Sequence, residues 1–459
     1  MPSFQSKLAR LPSMQSAPGA TTAPPLEPAR PKSLAGPGTA RPSLDELRDR
    51  IARIVARGPA PPTPRADPSG GELPFVVEHT DLGPLYVRRV RALPAARVGR
   101  APLVAARDAD PGMLALLALD PRLAGCDPRR ALYMDTETTG LAGGTGTVPF
   151  LLGLSWFDAE AGVFVVEQAL LRRYGEEAPI LALFTERLAT ASMIVTYNGK
   201  AFDMPLLRTR YVMNRVAAPA EPPHLDLVHM ARRIHKTRLK SRTLVAIEAE
   251  ILGRIRVGDV AGGDIVATYA HFLRTGDEEA LLGVVEHNVA DVLAMVAMVG
   301  LYGEPLAASA AVVSNEGEGE GAEVAYAHPV LDGDDLAGVA RTLRQAGALE
   351  LAAELAEAAV ARGGGAVARR ARGDIAKARG DKARALADYE VLAAEVDDPS
   401  VRLELCKLYE HHVRSFAEAL ALVERGTGER DEATERRRTR LVRKISVAGS
   451  ASGARARAK

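Results

Sequence analysis

Apolar and polar positions alternate between residues 131 and 301 in a pattern typical of a mixed α/β domain. Short apolar runs predict strands at 131–134, 148–157, 162–171 and 193–197. The two middle runs are separated by one turn and predict an antiparallel hairpin. Apolar residues at helical spacing predict helices at 177–189, 203–214, 227–252 and 279–300. Shorter segments precede this part, namely strand-like runs at 75–77 and 85–87 and a helix at 110–124. We therefore predict a sheet flanked by helices.

The first 71 residues depart from this pattern. Residues 1–42 are rich in Pro, Ala, Ser and Gly, and such a segment cannot bury enough apolar surface to offset its loss of chain entropy. Ser43 and Glu46 form a capping-box pattern, and apolar residues at helical spacing follow them. We predict a disordered arm over 1–71 with one short amphipathic helix. That helix either docks on a partner or packs on its own protein.

An acidic, Gly-rich stretch at 315–323 indicates a linker. We place this linker at 307–333, between an α/β domain at 72–306 and a helical region at 334–445. In the helical region, small and apolar positions followed by Glu recur every 33–34 residues: Ala352-Ala353 with Glu357, Ala385-Leu386 with Glu390, and Ala419-Leu420 with Glu424. This period resembles tetratricopeptide repeats, and an irregular array of helical hairpins is the alternative. The basic residues at 446–459 predict a disordered tail.

Composition narrows the classes of function. The 459 residues suffice for about three domains, and the formal charge of +1 provides no global basic field that would argue for nucleic acid. Cys126 and Cys406 lie far apart in the chain, which argues against a disulfide scaffold and a Cys-based zinc site and fits a reducing compartment. We see no secretory signal and no apolar run that approaches the roughly 20 residues needed to span a bilayer. We therefore predict a cytoplasmic protein without membrane contact.

Two acidic residues lie at the end of the first long apolar strand. Because side chains alternate between the faces of a strand, Asp135 and Glu137 point the same way. Two carboxylates on one face repel each other unless a cation lies between them, and this is the arrangement that a divalent metal ion needs. Such pairs also occur on solvated strands. The apolar strand before this pair and the Thr-Thr-Gly after it favour a site.

Two further groups place polar residues beside apolar elements. Asp203 follows an apolar strand and a tight turn, at the start of a helix, so it is either a site residue or the N-cap of that helix. His287 and Asp291 share one face of a late apolar helix because they are four residues apart. They are either a satisfied buried pair or site residues.

Taken together, the three groups resemble the DEDD exonucleases of the ribonuclease H-like superfamily, which carry four carboxylates in this order. More closely, the chain resembles the YprB-type ribonuclease H-like domain family. The resemblance covers roughly 72–306 and extends to the Gly-rich segment and further motifs at 140–147, 203–207, 224–227, 231–233 and 258–277. It implies an α/β fold, a ribonuclease H-like mixed sheet flanked by helices, followed here by the all-α, tetratricopeptide-like region.

The resemblance also implies a set of site residues. Four carboxylates would bind two divalent cations, Mg²⁺ or Mn²⁺. These are Asp135, Glu137, Asp203 and Asp291. His287 occupies the position, four residues before the last Asp, where the tyrosine subclass has its tyrosine. It either orients the attacking water as a general base or has a structural role. Asp226 either supports the site from behind or caps the following helix.

A basic segment follows these motifs and is a candidate for contact with nucleic acid. Six Lys or Arg lie between Arg232 and Arg242 with no acid among them, which suits a phosphate backbone; the alternative is a solvated helix face. We predict substrate contacts from this segment and from the carboxylate motifs: Thr138, Tyr197, Asn198, Lys200, Arg232 and Arg233. Tyr197 is a candidate for stacking a terminal base, whereas we expect Phe202 to be buried.

These features together predict a metal-dependent 3′–5′ exonuclease that hydrolyses single-stranded DNA or RNA from an end, with the helical region as a site for a protein partner. A structure-directed endonuclease on the same fold is one alternative. A non-catalytic nucleic-acid-binding scaffold is another, and the presence of all four acids argues against it. The Gly-rich segment lacks the Gly-Lys-Ser/Thr ending of a phosphate-binding loop, which argues against an NTPase.

Overall fold

One mixed sheet organises the α/β part of the protein. The structure, a computed structural model, describes residues 73–93, 95–140, 146–304 and 331–456, with side chains as far as 448. The predicted arm at 1–71 and nearly all of the predicted linker lie outside these residues. The described strands are β1 (Val76–Thr80), β2 (Gly83–Ala92), β3 (Arg97–Val98), β4 (Ala101–Pro102), β5 (Ala131–Thr138), β6 (Pro149–Asp158), β7 (Val163–Leu170), β8 (Met193–Thr196) and β9 (His224–Asp226).

Seven of these strands form the sheet in the order β1-β2-β7-β6-β5-β8-β9, while β3 pairs with β4. Strands β6 and β7 form the predicted antiparallel hairpin. Strands β5, β8 and β9 run parallel to one another. Because the carboxyl ends of parallel strands meet at one edge of a sheet, the chain segments that follow β5, β8 and β9 lie side by side. This edge therefore collects the acidic motifs.

The helices described in the α/β part are α1 (Val104–Arg107), α2 (Pro111–Ala118), α3 (Ala178–Thr190), α4 (Asp203–Met213), α5 (Leu227–Ile234), α6 (Leu244–Ile247), α7 (Gly262–Thr275) and α8 (Glu279–Gly303). The predicted mixed sheet with flanking helices is confirmed. The long helical region predicted at about 227–252 is interrupted between Ile234 and Leu244. Helix α5 ends at Ile234, and both ring nitrogens of its C-cap residue, His235, are hydrogen-bonded. Thr243 caps the next helix by accepting a hydrogen bond from the N–H of Ala246.

Apolar side chains cover both faces of the sheet. On β5, Leu132 and Met134 point into a core formed with α3 and α4. Ala131 and Tyr133 point into a second core, in which the carboxyl-terminal half of α8 packs. Asp135 and Glu137 continue the second row of side chains because faces alternate along a strand. They therefore point towards α8.

Helix α8 is apolar almost all round. Its most apolar window has a mean hydropathy of 1.6, and 67% of that window is buried inside the protein. By length and composition alone this helix resembles a membrane span. The sequence analysis did not anticipate it, since no apolar run of that length was expected. Its burial is that of a core helix, which is apolar on every side because protein surrounds it.

Seven α-helices and one π-helical segment, Tyr409–Val413, follow after residue 331 in the described part of the chain. The α-helices are α9 (Gly333–Ala346), α10 (Leu349–Ala361), α11 (Gly365–Arg379), α12 (Lys382–Glu395), α13 (Pro399–Leu408), α14 (Phe416–Glu424) and α15 (Asp431–Ala456). The predicted helical region is thus confirmed. Helices α9, α11 and α13 begin 32 and 34 residues apart. The classification of this helical region as tetratricopeptide-like stays a prediction. Helix α15 extends beyond residue 446, into the segment where we predicted a disordered tail.

The recurring alanines lie at matching places in this helical region. Ala352, Ala385 and Ala419 lie on α10, α12 and α14, and each is fully buried. Each of these helices packs against the helix before it, which gives three successive hairpins. The period read from the sequence is therefore the repeat of one buried small residue per hairpin.

Helix α9 packs closely on α5 of the α/β part. Gly338 of α9 lies so near Ile234 that an added Cβ would come 2.1 Å from the Ile234 carbonyl oxygen. Next to this contact, Nδ1 of His235 lies 2.6 Å from Asp335 Oδ1, and Arg238 donates to Asp335 Oδ2 at 2.7 Å. One hydrophobic core runs from the sheet through α8 into α9, α10 and α11.

Candidate metal and active site

Helix α8 places two polar residues, His287 and Asp291, over Glu137 at the acidic end of β5. Glu137, His287 and Asp291 each offer one ligand atom, and these atoms lie within 4.8 Å of one another. Within the described ranges this is the one group of three or more His, Cys, Asp or Glu residues that could hold a metal ion. Three of the five predicted catalytic residues therefore meet at one point. Asp203 lies close enough to raise the pKa of Glu137, and Glu137 and Asp291 raise the pKa of Asp135.

Glu137 is the member of this group with the least support from the protein. It is 8% exposed, yet no hydrogen bond or ion pair reaches its carboxylate from the described residues. Burial raises its pKa to about 7; His287 opposes this rise, whereas Asp291 and Asp203 add to it. A buried carboxylate is stable only when a proton or a cation accompanies it. The carboxylate and imidazole donors assembled here fit a divalent cation.

Asp135 is supported by residues that the sequence analysis missed. Asn288 of α8 donates from Nδ2 to Asp135 Oδ2 at 2.8 Å, and Gln168 of β7 donates to Asn288 Oδ1 at 2.9 Å. Gly153 of β6 pairs with Asp135, and a Cβ there would come 2.1 Å from Asn288 Oδ1. Burial raises the pKa of Asp135 well above its ordinary value, with Asp291 as the next cause. The glycine thus leaves room for the amide that orients this carboxylate.

Asp203 enters the site from the start of α4. The N-cap of that helix is Phe202, and the Asp203 carboxylate instead accepts a hydrogen bond from the Thr136 hydroxyl of β5. Burial raises the pKa of Asp203 to about 6, although the bond from Thr136 opposes the rise. The alternative that Asp203 is the helix N-cap is therefore wrong, and its carboxylate points back towards the strand that carries Asp135.

Asp226 combines the two roles that we left open. Its Oδ1 accepts from the N–H of Asn198 at 2.7 Å and from the N–H of Val228 at 3.2 Å, so it caps α5. Its Oδ2 accepts from the N–H of Lys200 at 3.1 Å. Asn198 has a φ of +72°, which residues other than glycine rarely adopt. One buried carboxylate therefore holds the turn that delivers Asp203 to the site.

His287 lies in a network of charges that also escaped the sequence analysis. Its Nδ1 lies 2.6 Å from Asp259 Oδ1, and its Nε2 lies 3.5 Å from Asp291 Oδ2. Arg256, whose side chain is 6% exposed, donates to Asp291 and pairs with Glu248, and its Nη1 lies 3.3 Å from Asp259. Because these residues come from the segment between α6 and α8, the network joins Asp291 and His287 to the loop that precedes α7.

Comparison with known proteins agrees with this geometry. The RNase_H_2 profile, described as RNase_H superfamily, matches residues 132–302. Residues 132–302 are thus similar to a ribonuclease H superfamily domain. The chain is also 37% identical over 180 residues to the "Uncharacterized protein YprB" of Bacillus subtilis (strain 168), a match of 38% of this chain and 42% of that relative. The chain therefore aligns with less than half of the length of this relative, and the YprB-type resemblance is confirmed.

The α/β domain exposes only some of the predicted substrate contacts. Arg232 and Lys200 are exposed. Arg233 instead donates inward to the Leu117 carbonyl at 2.6 Å. Of the other basic residues in this segment, Arg238 pairs with Asp335, so the segment is not a uniformly free basic face.

Two aromatic residues border the turn that leads to Asp203. The Tyr197 hydroxyl donates to the Arg242 carbonyl at 2.5 Å, so its ring is held in place. Phe202 is 55% exposed, and our expectation that it is buried is wrong. Helix α4 begins directly after Phe202, and its buried positions Met204 and Leu207 take the places in the core. Thr138, in turn, donates its hydroxyl to the Gly140 carbonyl at 2.9 Å.

Proposed function

We propose that this protein is a metal-dependent 3′–5′ exonuclease that hydrolyses phosphodiester bonds at the ends of single-stranded DNA or RNA. The observation that carries the proposal is the buried, unpartnered carboxylate of Glu137 beside His287 and Asp291. Asp135 and Asp203 add two further carboxylates with raised pKa values. The similarity of residues 132–302 to the ribonuclease H superfamily supports a nuclease.

Divalent cations, Mg²⁺ or Mn²⁺, are part of the proposal. Asp135, Glu137, Asp203 and Asp291 would hold them, and we propose two. A bound cation supplies a more acidic water and stabilises negative charge on the phosphate. The protein's own contribution is to fix these carboxylates, through Asn288 for Asp135 and through Thr136 for Asp203.

The exposed residues around the turn after β8 favour a single-stranded end as the substrate. Phe202 offers an exposed ring directly before Asp203, and bases stack on such rings without strong sequence preference. Lys200 and Arg232 are exposed cations near the same turn and suit the phosphates of the strand. A protein partner on the helical region and a cytoplasmic location complete the proposal.

Labelled substrates test this function. Full-length protein with Mn²⁺ is given single strands labelled at the 3′ or the 5′ end, together with a circular single strand. We expect progressive shortening from the 3′ end only. Asp135→Asn removes a buried charge without changing shape and should lower the rate about 100-fold or more. Asp81→Asn, an exposed aspartate in the turn between β1 and β2, is the matched control and should keep full activity.

Two results would contradict the proposal. Cleavage of the circle would show endonuclease activity instead. Absence of cleavage with every divalent ion, while the protein still binds single strands, would favour a non-catalytic binding domain.

A further inference from the structure

The ring of His287 has a fixed orientation. Its Nδ1 lies 2.6 Å from a carboxylate oxygen of Asp259, which accepts, and 3.3 Å from Nη1 of Arg256, which donates. The contact with Asp259 is much the shorter of the two, so we assign the hydrogen to Nδ1. The other nitrogen, Nε2, then offers its lone pair to the centre of the site, where Glu137 and Asp291 present carboxylates. Three electron-rich atoms therefore face one another in a largely buried space.

The distances suit a shared ion. Two ligands that bind one ion at about 2.1 Å lie between about 3 and 4.2 Å apart. The His287 Nε2 atom and Asp291 Oδ2 lie 3.5 Å apart, inside this interval. A histidine that only binds a metal-bound water lies about 4 Å from the ion instead of about 2 Å.

We propose that His287 Nε2 is a direct ligand of a divalent transition-metal ion together with Glu137 and Asp291, and that the site therefore selects Mn²⁺ over Mg²⁺. The inference rests on the metal site of the proposed function. In it, His287 binds the metal ion directly and does not orient the attacking water. Imidazole binds transition metals better than it binds Mg²⁺, which prefers oxygen ligands and water.

The surroundings of His287 are those of a metal ligand. Histidine ligands almost always donate their second ring N–H to a carboxylate or carbonyl group, and Asp259 fills that place. Asp259 is itself 3.3 Å from Arg256, which also donates to Asp291. One buried guanidinium thus positions the partner of one ligand and the carboxylate of another. Asp259 and Arg256 are positioning residues in this arrangement.

Spectroscopy of bound Mn²⁺ tests the ligand directly. Mn²⁺ is paramagnetic, and its electron spin-echo envelope is modulated by the ¹⁴N nucleus of a coordinated imidazole. We expect this modulation in the full-length protein and its replacement by the ¹⁵N pattern when all histidines carry ¹⁵N. His287→Ala should abolish it. His229→Ala, an exposed histidine on α5, is the matched control and should leave it unchanged.

Calorimetric titration provides a second readout. His287→Ala should lower the ratio of Mn²⁺ affinity to Mg²⁺ affinity about tenfold or more. Asp259→Asn should weaken Mn²⁺ binding by about 10- to 100-fold, as loss of a partner of a metal ligand typically does. Circular dichroism confirms that each variant is folded. If His287→Ala does not fold, the ¹⁵N-labelled wild type still tests whether an imidazole nitrogen binds the ion, and His287 is the histidine of this cluster.

The outcomes separate this inference from the proposed function. Bound Mn²⁺ without nitrogen modulation would overturn the inference, whereas 3′ shortening that Asp135→Asn abolishes would leave the function standing. Nitrogen modulation in a protein that cleaves no strand would support the inference and contradict the function. Failure of Mn²⁺ to bind at millimolar concentration would overturn the inference.

Discussion

Gly153→Ala should damage the site without touching any charged residue. The new Cβ would lie 2.1 Å from Oδ1, 2.7 Å from Cγ and 2.8 Å from Nδ2 of Asn288. Atoms this close must separate by about 1 Å, since carbon and oxygen rarely approach below about 3.3 Å. Asn288 cannot move that far and keep its bonds to Asp135 and Gln168, which measure 2.8 and 2.9 Å.

The expected loss of stability follows from these contacts. Overpacking costs about 1–3 kcal/mol, and leaving the buried Asp135 carboxyl without its hydrogen bond from Asn288 costs about 1–3 kcal/mol. Alanine is better suited than glycine to a strand by about 0.5–1 kcal/mol, which offsets part of this cost. We expect a net decrease of about 2–4 kcal/mol in the free energy of unfolding, together with weaker binding of Mn²⁺ because Asp135 loses its orientation.

Urea denaturation followed by circular dichroism measures this decrease. Gly125→Ala is the matched control, because a Cβ there meets no atom within 4 Å, and it should change stability by less than about 0.5 kcal/mol. Combining Gly153→Ala with Asn288→Ala removes the clash, so the double variant should be more stable than the sum of the single effects by about 1–3 kcal/mol. Additive effects, or a Gly153→Ala variant as stable as the wild type, would refute the reasoning.

Three further predictions concern other parts of the molecule. Asp335→Ala leaves Nδ1 of the buried His235 without its partner and removes the carboxylate that pairs with Arg238, so it should lower the free energy of unfolding by about 3–5 kcal/mol, measured in urea; an unchanged midpoint would contradict a structural role. Phe202→Ala should raise KM for single strands several-fold with unchanged thermal stability, because the ring is exposed; an unchanged KM would exclude stacking. The pKa values of about 7 for Glu137 and about 6 for Asp203 exceed the ordinary values of 4.5 and 3.8. The metal-free folded state therefore binds more protons than the unfolded state, and its stability should fall as pH rises from about 4 to 7. The gain in Tm on adding Mn²⁺ should correspondingly be larger at pH 8 than at pH 5.5. Scanning calorimetry measures both trends, and a gain in Tm independent of pH would contradict them.

The acidic residues of the site could be predicted from the sequence, but the residues that support them could not. Asp135, Glu137 and Asp291 could be found because alternation on a strand and helical spacing place them on common faces. Gly153 and Asn288 could not be connected, since their contact depends on how α8 crosses β6. The break after α5 was missed because both ring nitrogens of His235 are bonded outside its own helix. Such partners lie far away in the chain, and no local pattern reveals them.

The burial of Phe202 was predicted wrongly from its own local sequence. Its hydrophobic side chain favours burial, and its position beside buried residues supports that expectation. The structure exposes it because the chain enters α4 at the next residue, so the apolar face of that helix begins only with Met204. A residue just outside a helix does not share the face that the helix buries. Hydrophobic character alone therefore says little about residues at the ends of elements.

The close packing of α9 on α5 limits how this protein can be recombined with others. A replacement for the helical region would need a glycine where Gly338 meets the Ile234 carbonyl and a carboxylate opposite His235. Without them, a fused helix would collide with the backbone or leave a buried imidazole unpaired. Exchange of this region by gene fusion therefore requires at least two matched residues in the incoming segment, and the α/β domain and its helices are expected to be inherited as one unit.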